Sequence, residues 1–320
     1  MAWPTDRAPS EAKLSAKASR QAESLFIQAS DGLALHVRAY RAAVEMGLPV
    51  VCLPGLARTE ADFEILAGHL ALASQRPRQV FALDYRGRGL SSYDPDWRNY
   101  NLAVELADVI VVLTALGIHR AIFLGTSRGG LLTMLLAASH RAFIAGAILN
   151  DIGPVIEPNG LMRIKGYIGK LPVPHDFAEG AETLRRAFGG QFPALPADDW
   201  LAWSKRNWTQ TADGLVARYD TNLAKTLGDI DPHQPIPPLW EQFDAVSTGP
   251  VMAIRGGLSD LLSRETVEAM RERQPLMEVV VVPDQGHAPL LSEAPVLGLV
   301  DAFCRRCDAI ESAQQVTSNS

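Results

Sequence analysis

A serine set between small residues is the strongest chemical signal in the 320-residue chain, in the segment 125–130, GTSRGG. A short apolar run, residues 122–124, precedes it, and a helix-like segment, residues 129–139, follows it. A strand, Gly-x-Ser-x-Gly and a helix, in this order, are typical of a nucleophile elbow, a strained turn that exposes a serine hydroxyl. The two flanking glycines let strand and helix pass closely. We therefore predict that Ser127 is a nucleophile.

A serine hydroxyl is a weak nucleophile and needs a general base that takes its proton. Of the seven histidines, His287 is the best placed, because it follows the apolar run 279–282 and precedes the last helix-like segment. The carboxyl ends of parallel strands meet at one edge of a sheet, so we expect His287 to reach Ser127. We expect surface or capping positions for the other histidines.

A carboxylate must fix the tautomer and orientation of the base. Two aspartates compete for this role. Asp260 follows the apolar run 251–254 and a Gly-Gly loop, and it gives the chain order Ser, Asp, His. Asp151 directly follows the apolar run 144–149 and is the alternative acid. We favour Asp260.

Acyl transfer also requires donors for the oxyanion that forms on the attacked carbonyl. The amide of Arg128 lies at the start of the helix after the serine, where backbone N–H groups have no helical partner. The loop after residues 50–53, Pro-Gly-Leu-Ala, is predicted to lie beside the elbow, and Gly55 lets its backbone approach closely. We predict the amides of Leu56 and Arg128 as the oxyanion hole.

Apolar runs alternate with helix-like segments along most of the chain. Short continuous runs such as 50–53 and 80–83 suit strands that are buried on both faces, as in a parallel sheet. Residues 24–40 read as a hairpin, with Asp31-Gly32 in its turn. The pattern predicts an α/β sheet of mostly parallel strands. From about residue 153 to 244, Pro, Gly and aromatic residues replace the buried strands, which predicts a helical insertion.

The segments PGLA, DYRGRGLSS, GTSRGG, RGGLSD and DQGHAPLL together resemble the α/β-hydrolase superfamily, in the branch with a serine nucleophile and a helical cap. The resemblance covers about residues 24–152 and 245–310. It implies the α/β-hydrolase fold: a mostly parallel eight-stranded sheet flanked by helices, with the cap inserted after the sixth strand. The family usually has His-Gly in the third-strand loop, where Pro54-Gly55 stands here, but a backbone donor is unaffected.

The same resemblance implies a domain division and a site. The lead-in is residues 1–23, the hydrolase core is 24–152 and 245–320, and the cap is 153–244. The implied catalytic triad is Ser127, His287 and Asp260, roofed by the cap. No motif suggests a metal or cofactor, and we expect none.

The serine favours hydrolysis of a carboxylic ester or lactone of a small molecule, through an acyl-enzyme. Hydrolysis of a carbon–carbon bond in a vinylogous diketone is a second hypothesis. The enzymes that carry it out commonly have an aromatic residue after the histidine, where Ala288 stands here. A ligand-binding receptor on the same scaffold is the third.

Composition limits the partners. The net charge is −6, both signs are scattered along the chain, and 47% of residues are hydrophobic. We therefore predict no nucleic-acid and no membrane partner, and the oligomeric state, including a homo-oligomer, stays open. The first residues are polar and lack the apolar segment of a secretory signal, and the number of cysteines, three, is odd. Both features predict a reducing, cytoplasmic location. Cys304 and Cys307 are expected to pack in a helix.

Substrate recognition is the least specified feature of the sequence. Most aromatic residues of the insertion are expected to pack within it, and some could line a pocket: Tyr167, Phe188, Trp200, Trp203, Trp208 and Trp240. Three cations are candidate partners for a substrate carboxylate, although solvent-facing positions are favoured for them: Arg58, Arg163 and Lys165. The segment DYRGRGLSS is expected to brace its loop through charge pairs.

Overall fold

The structure is a computed structural model that describes residues 21–228, 230–231 and 236–318. Most of the predicted lead-in, residues 1–20, lies outside the described residues. An eight-stranded sheet forms the centre of the molecule. Its strands are β1 (Glu23–Gln28), β2 (Ala34–Tyr40), β3 (Val50–Leu53), β4 (Val80–Leu83), β5 (Ala121–Thr126), β6 (Ile144–Asn150), β9 (Val251–Gly256) and β10 (Glu278–Val282).

The strand order is β1-β2-β4-β3-β5-β6-β9-β10. The hairpin of β1 and β2 is antiparallel and joins β4 antiparallel, whereas the pairs from β4 to β10 are parallel. The predicted mostly parallel, eight-stranded sheet is confirmed. The fold is the α/β-hydrolase fold.

Register places the carboxyl ends of four central strands in line. Leu53 of β3 lies opposite Gly125 of β5, which lies opposite Leu149 of β6, which lies opposite Ala253 of β9. The loops that follow these four strands therefore open at one edge of the sheet. This edge is where open α/β sheets place their ligands.

Helices cover both faces of the sheet. They are α1 (Glu64–Gly68), continued by a π-helical turn, His69–Ala73; α2 (Leu102–Ala115); α3 (Arg128–Ser139); α7 (Trp240–Val246); α8 (Arg264–Arg273); and α9 (Ala294–Ser318). Asn101 caps α2 through its side chain, which accepts from the amide of Val104, and Ser263 caps α8 in the same way through Thr266.

Alternate residues of the central strands face opposite layers, which explains their continuous apolar runs. Val51 and Phe123 belong to the buried cluster on one face, and Cys52 and Leu124 belong to the cluster on the other. Every residue of β3, β4 and β6 is buried. A strand buried on both faces cannot alternate polar and apolar residues.

The insertion, residues 153–244, contains α4 (Pro158–Tyr167), α5 (Phe177–Phe188) and α6 (Ala197–Asn207). The insertion also contains a small antiparallel hairpin that was not predicted from the sequence, β7 (Trp208–Thr211) and β8 (Gly214–Ala217). These strands are mostly exposed or half-buried, so they carry no continuous apolar run. Near the predicted boundary at 244, helix α7 packs Phe243 and Val246 into the core cluster. The domain division itself stays a prediction.

Candidate active site

The serine elbow is sterically constrained. Ser127 has φ 51° and ψ −114°, a conformation that a non-glycine residue rarely adopts. A Cβ on Gly125 would lie 2.4 Å from the backbone of Gly129, and a Cβ on Gly129 would lie 2.0 Å from the carbonyl oxygen of Leu53. Gly130 is equally tight, because a Cβ there would lie 2.1 Å from Ile152. The glycines thus allow strand β5 and helix α3 to meet at Ser127.

Ser127 and His287 are hydrogen-bonded. The Nε2 atom of His287 lies 2.8 Å from the Oγ atom of Ser127, which is the contact a general base requires. The backbone N–H of His287 donates to the side-chain oxygen of Gln191, at 2.8 Å, so the insertion contacts the histidine loop. The predicted pairing of these two residues is therefore present in the structure.

The carboxylate on His287 belongs to Asp151. Its Oδ2 atom lies 2.8 Å from the Nδ1 atom of His287. The buried carboxylate also accepts hydrogen bonds from the amide of Gly256, at 2.7 Å, and from the hydroxyl of Ser259, at 2.6 Å. Gly256 is the last residue of β9 and Ser259 lies in the loop that follows, so Asp151 is fixed from the neighbouring strand.

The prediction that Asp260 orients the histidine is contradicted by this geometry. Asp260 turns to the insertion, where Arg163 donates two hydrogen bonds to its carboxylate, at 2.6 and 2.8 Å. Burial acts to raise the pKa of Asp260, but the hydrogen bonds from Arg163 hold that pKa below its ordinary value. Ser259, one residue earlier, faces Asp151 instead. The alternative acid, Asp151, occupies the position beside the base.

The predicted oxyanion donors lie next to the serine. A Cβ on Gly55 would be 3.8 Å from the Cβ atom of Ser127, which places the Pro-Gly-Leu-Ala loop against the elbow. The backbone N–H groups of Leu56 and Arg128 make no hydrogen bond with another residue of the described ranges. Both N–H groups are thus without a protein acceptor in the described ranges, and their role as an oxyanion hole remains a prediction.

Sequence reasoning missed a second residue at the elbow, Asn150. Its carbonyl accepts from the amide of Ser127, at 2.9 Å, and its side chain donates to Thr126 and to the carbonyl of Pro289, both at 3.0 Å. Asn150 therefore links the serine turn to the histidine loop. The signal was its position, since it ends strand β6 immediately before Asp151.

A cavity of about 110 Å³ lies over the serine. The strand-end residues Gly55, Leu56, Ser127 and His287 contribute to its lining. Its apolar wall comes largely from the insertion: Ile164, Tyr167, Ile168, Leu171, Phe188 and Trp203. Of the other predicted aromatics, Trp200 and Trp208 are buried within the insertion, and Trp240 packs on Phe243 and Arg273.

The three cations proposed as carboxylate partners have different surroundings. Lys165 donates to the carbonyls of Gly228 and Ile230, so its hydrogen bonds lie within the insertion. Arg163 is paired with Asp260. Arg58 lines the cavity, and it is the one of the three that does so within the described chain.

The expected charge bracing of residues 84–92 is confirmed. Arg86 binds Asp108 through two hydrogen bonds of 2.7 Å and also reaches Asp94, at 2.6 Å. The carboxylate of Asp84 accepts from the amides of Glu60 and Leu90. These pairs brace the loop, and the hydroxyl of Tyr85 links it to the Pro-Gly-Leu-Ala loop through the carbonyl of Pro54.

Further predictions from the sequence concern the cysteines, metal binding and the membrane. Cys52, Cys304 and Cys307 are free and buried, as expected for packing residues. No three or more His, Cys, Asp or Glu side chains of the described residues are grouped so that they could hold a metal ion. In the same residues, no helix has both the length and the apolar character needed to cross a bilayer.

The arrangement of Asp151, His287 and Ser127 can support nucleophilic attack by the serine. A buried carboxylate, an imidazole and a hydroxyl are joined by two hydrogen bonds of 2.8 Å and open into a cavity. Such a chain can move a proton from the hydroxyl to the imidazole while the oxygen attacks a carbonyl carbon.

The known proteins that this chain resembles are hydrolases. A family profile described as "Alpha/beta hydrolase family" matches residues 50–302. A 3-hydroxybutyrate-oligomer hydrolase of Cupriavidus necator is 33% identical over 291 residues, which cover 87% of this chain and 96% of that protein. An N-formylmaleamate deformylase of Pseudomonas putida is 26% identical over 248 residues, covering 75% and 82%. The crystal structure of an alpha/beta hydrolase from Novosphingobium aromaticivorans is 37% identical with a TM-score of 0.83, covering 89% of this chain and 99% of that one.

Proposed function

Because the chain belongs to the alpha/beta hydrolase family, we propose that it hydrolyses a carboxylic ester of a small molecule through an acyl-enzyme. One observation carries this proposal: the hydrogen-bonded series Ser127, His287 and Asp151 at the floor of the cavity. Hydrolase activity is common to the named relatives. The ester bond, the acyl-enzyme and the residue roles are the proposed part.

In the first half of the reaction, the Oγ atom of Ser127 bonds to the ester carbonyl carbon. Its proton passes to the Nε2 atom of His287, while Asp151 stabilises the resulting imidazolium. The carbonyl oxygen becomes an oxyanion held by the amides of Leu56 and Arg128. The carbon–oxygen bond to the leaving group then breaks, and His287 gives its proton to the departing alcohol.

In the second half, water replaces the alcohol. His287 takes a proton from this water as its oxygen bonds to the acyl carbon. The bond from that carbon to Ser127 breaks, and the proton returns to the serine oxygen. The acid leaves and the enzyme is restored.

The choice of an ester is supported by the likeness to the 3-hydroxybutyrate-oligomer hydrolase of Cupriavidus necator. An oligomer of a hydroxy acid is held by ester bonds, and the hydrolase that acts on one matches this chain over 87% of its length. The small cavity with an apolar wall suits a short acyl group.

Turnover of p-nitrophenyl acetate and butyrate by the purified protein tests this proposal. We expect Ser127→Ala to lower kcat by about 10³-fold or more, because the nucleophile is lost. Ser139→Ala is the matched control, since Ser139 lies on the same helix, is exposed and bonds only to the carbonyl of Leu135 in the described structure. Equal rates in the wild type and Ser127→Ala would exclude the serine mechanism.

A further inference from the structure

Two cations and one anion form a charged wall of the cavity: Arg58, Asp62 and Arg206. Arg58 donates to both oxygens of Asp62, at 2.5 and 2.6 Å. Arg206 lies 3.5 Å from the same carboxylate. Each side chain is roughly one-fifth exposed. One carboxylate therefore faces two guanidinium groups in this wall of the cavity.

Arg58 still has donors to offer. A guanidinium has five N–H groups. Two of those on Arg58 go to Asp62, and a third goes to the side-chain oxygen of Asn207. The guanidinium also stacks on the ring of Trp203, with its carbon 5.3 Å from the ring centroid, which fixes its plane. Two N–H groups of a guanidinium that lines the cavity are left for a further acceptor.

Arg58 is close to the nucleophile. A Cβ on Gly55 would lie 3.2 Å from the Cγ atom of Arg58 and 3.8 Å from the Cβ atom of Ser127. The arginine stem and the serine thus flank the same glycine. Both side chains also line the same cavity, so one ligand can contact Arg58 while its carbonyl carbon lies at Ser127.

We propose that Arg58, with Arg206 beside it, binds a carboxylate carried by the substrate a few bonds from the scissile ester. This inference rests on the proposed ester hydrolysis. The substrate class is then a short ester that keeps a free carboxylate, as an ester formed on the hydroxyl of a hydroxy acid does. Arginine suits this role because its planar donors match the two carboxylate oxygens.

Paired substrates separate this role from a merely structural one. Release of acetate from 3-acetoxypropanoate is compared with its release from the primary amide of the same compound. We expect the wild type to favour the carboxylate by about tenfold or more in kcat/KM, as charge-assisted hydrogen bonds predict. Arg58→Gln should reduce this preference toward unity. Asp62→Asn should increase it, because the competing carboxylate is removed.

The opposite signs of the two substitutions are the signature of carboxylate binding. If the preference is the same in the wild type, Arg58→Gln and Asp62→Asn, the inference is wrong. It is also wrong if p-nitrophenyl acetate is hydrolysed but neither acetoxy compound is. If no ester is hydrolysed, the proposed function is wrong, and this inference is then wrong as well.

A second, independent observation concerns a buried acid behind the elbow. Glu105, on helix α2, is fully buried and contacts two arginines. Its Oε2 atom accepts from the Nε atom of Arg128, at 2.5 Å. Its Oε1 atom forms an ion pair of 2.8 Å with the Nη2 atom of Arg88. Arg128 follows the nucleophile, so Glu105 holds the residue that carries one predicted oxyanion amide.

Arg88 extends this contact to the other predicted oxyanion amide. Its Nε atom donates to the carbonyl oxygen of Leu56, at 2.9 Å. The two preceding carbonyls of the loop are also held: that of Pro54 accepts from the hydroxyl of Tyr85, at 3.1 Å, and that of Gly55 accepts from the amide of Arg58, at 3.2 Å. With three successive carbonyls fixed, the Leu56 N–H has one orientation.

We infer that Glu105 is a positioning residue that keeps both oxyanion donors aligned through Arg88 and Arg128. A displaced donor stabilises the oxyanion less, and removal of one donor costs about 10²- to 10³-fold in kcat. Binding of the ground-state ester does not use this alignment. The effect of a substitution should therefore fall on kcat and not on KM.

Glu105→Gln and Glu105→Ala test this role against Asp108→Asn. Asp108 is the matched control, because it is a buried acid on the same helix and pairs with Arg86 of the same loop. We expect Glu105→Ala to lower kcat for p-nitrophenyl acetate about 10- to 100-fold with little change in KM, and Glu105→Gln to lower it less. Asp108→Asn should lower the Tm comparably while kcat changes about threefold at most.

Equal losses of kcat in the Glu105 and Asp108 variants would show that Glu105 only stabilises the fold. If the Glu105 variants do not fold, Arg128→Met breaks the same link while Arg88 still pairs with Glu105. The Arg128 side chain is only 14% exposed, and its hydrogen bonds in the described structure go to Glu105 and to the carbonyl of Tyr100. An unchanged kcat in folded Arg128→Met would overturn the inference.

Discussion

At the residue scale, the acid of the site depends on where two aspartate side chains point. Asp151 and Asp260 each follow a strand whose carboxyl end lies at the active edge, β6 and β9. Position along the chain therefore did not separate them. The structure does, because the buried carboxylate of Asp151 contacts His287, whereas Asp260 has an arginine of the insertion as its partner.

We predict that Asp151→Asn lowers kcat for p-nitrophenyl acetate by about 10²- to 10⁴-fold, because the amide cannot stabilise the imidazolium or fix its tautomer. Asp260→Asn is the control and should change kcat less than about fivefold. It loses a partly exposed ion pair, which contributes about 1 kcal/mol or less to stability. Steady-state kinetics of both variants checks this. A severe loss confined to Asp260→Asn would restore the sequence-based choice of acid.

The pairing of Ser127 with His287 and the loop beside them were predictable from sequence, since each belongs to a short motif after an apolar run. Asn150 and Glu105 were not. Their roles arise from contacts between segments far apart in the chain, such as Glu105 with Arg88 and Arg128. No local pattern in the sequence encodes which buried acid meets which arginine.

At the element scale, the elbow is a close crossing of β3, β5 and α3. The spacing of its glycines is set by backbone contacts, because a Cβ on Gly129 would overlap the carbonyl of Leu53. Backbone cannot yield as a side-chain tip can. The positive φ of Ser127 adds strain of about 1–3 kcal/mol, which the surrounding packing offsets.

We predict that Gly129→Ala lowers the free energy of unfolding by about 3 kcal/mol or more, since the added methyl group must displace strand β3 or helix α3. Gly298→Ala is the matched control. Gly298 lies in helix α9 with no atom within 4 Å of an added Cβ, so the change should stabilise by about 0.5–1 kcal/mol. Urea denaturation measures both. If Gly129→Ala is as stable as the wild type, strand β3 and helix α3 do not approach as closely as described.

The strands of the core were predictable because burial on both faces leaves a continuous apolar run. The same rule explains the missed hairpin of β7 and β8. Its strands lie at the surface of the insertion and alternate only weakly, as WTQT and GLVA show. The Asp213-Gly214 pair between them was the available signal, since it is a common turn sequence.

At the scale of the whole molecule, the insertion is attached to the core at several separate points. Tyr100 of the core donates to the carboxylate of Asp220, at 2.6 Å, and its hydroxyl accepts from the amide of Asp94, at 3.0 Å. The amide of Asp220 also donates to the carbonyl of Gly87, at 2.7 Å. With the ion pair of Arg163 and Asp260, these contacts hold the insertion over the serine.

We predict that Tyr100→Phe lowers the free energy of unfolding by about 1–3 kcal/mol, because the amide of Asp94 and the carboxylate of Asp220 lose a buried partner. Tyr93→Phe is the control, since Tyr93 is 50% exposed and its loss should fall within about 0.5 kcal/mol. Thermal unfolding of the two variants checks this. Equal Tm values would mean that this contact does not fasten the insertion.

The central claim is that Ser127 forms a covalent acyl intermediate. Acid quenching during turnover of p-nitrophenyl acetate, followed by peptide mass spectrometry, tests it most directly. We predict one acetyl group on the peptide that contains Ser127 in the wild type, and none on the corresponding peptide of Ser127→Ala. An acetyl group on another residue that turns over with the substrate, or full activity with no adduct on Ser127, would contradict the mechanism.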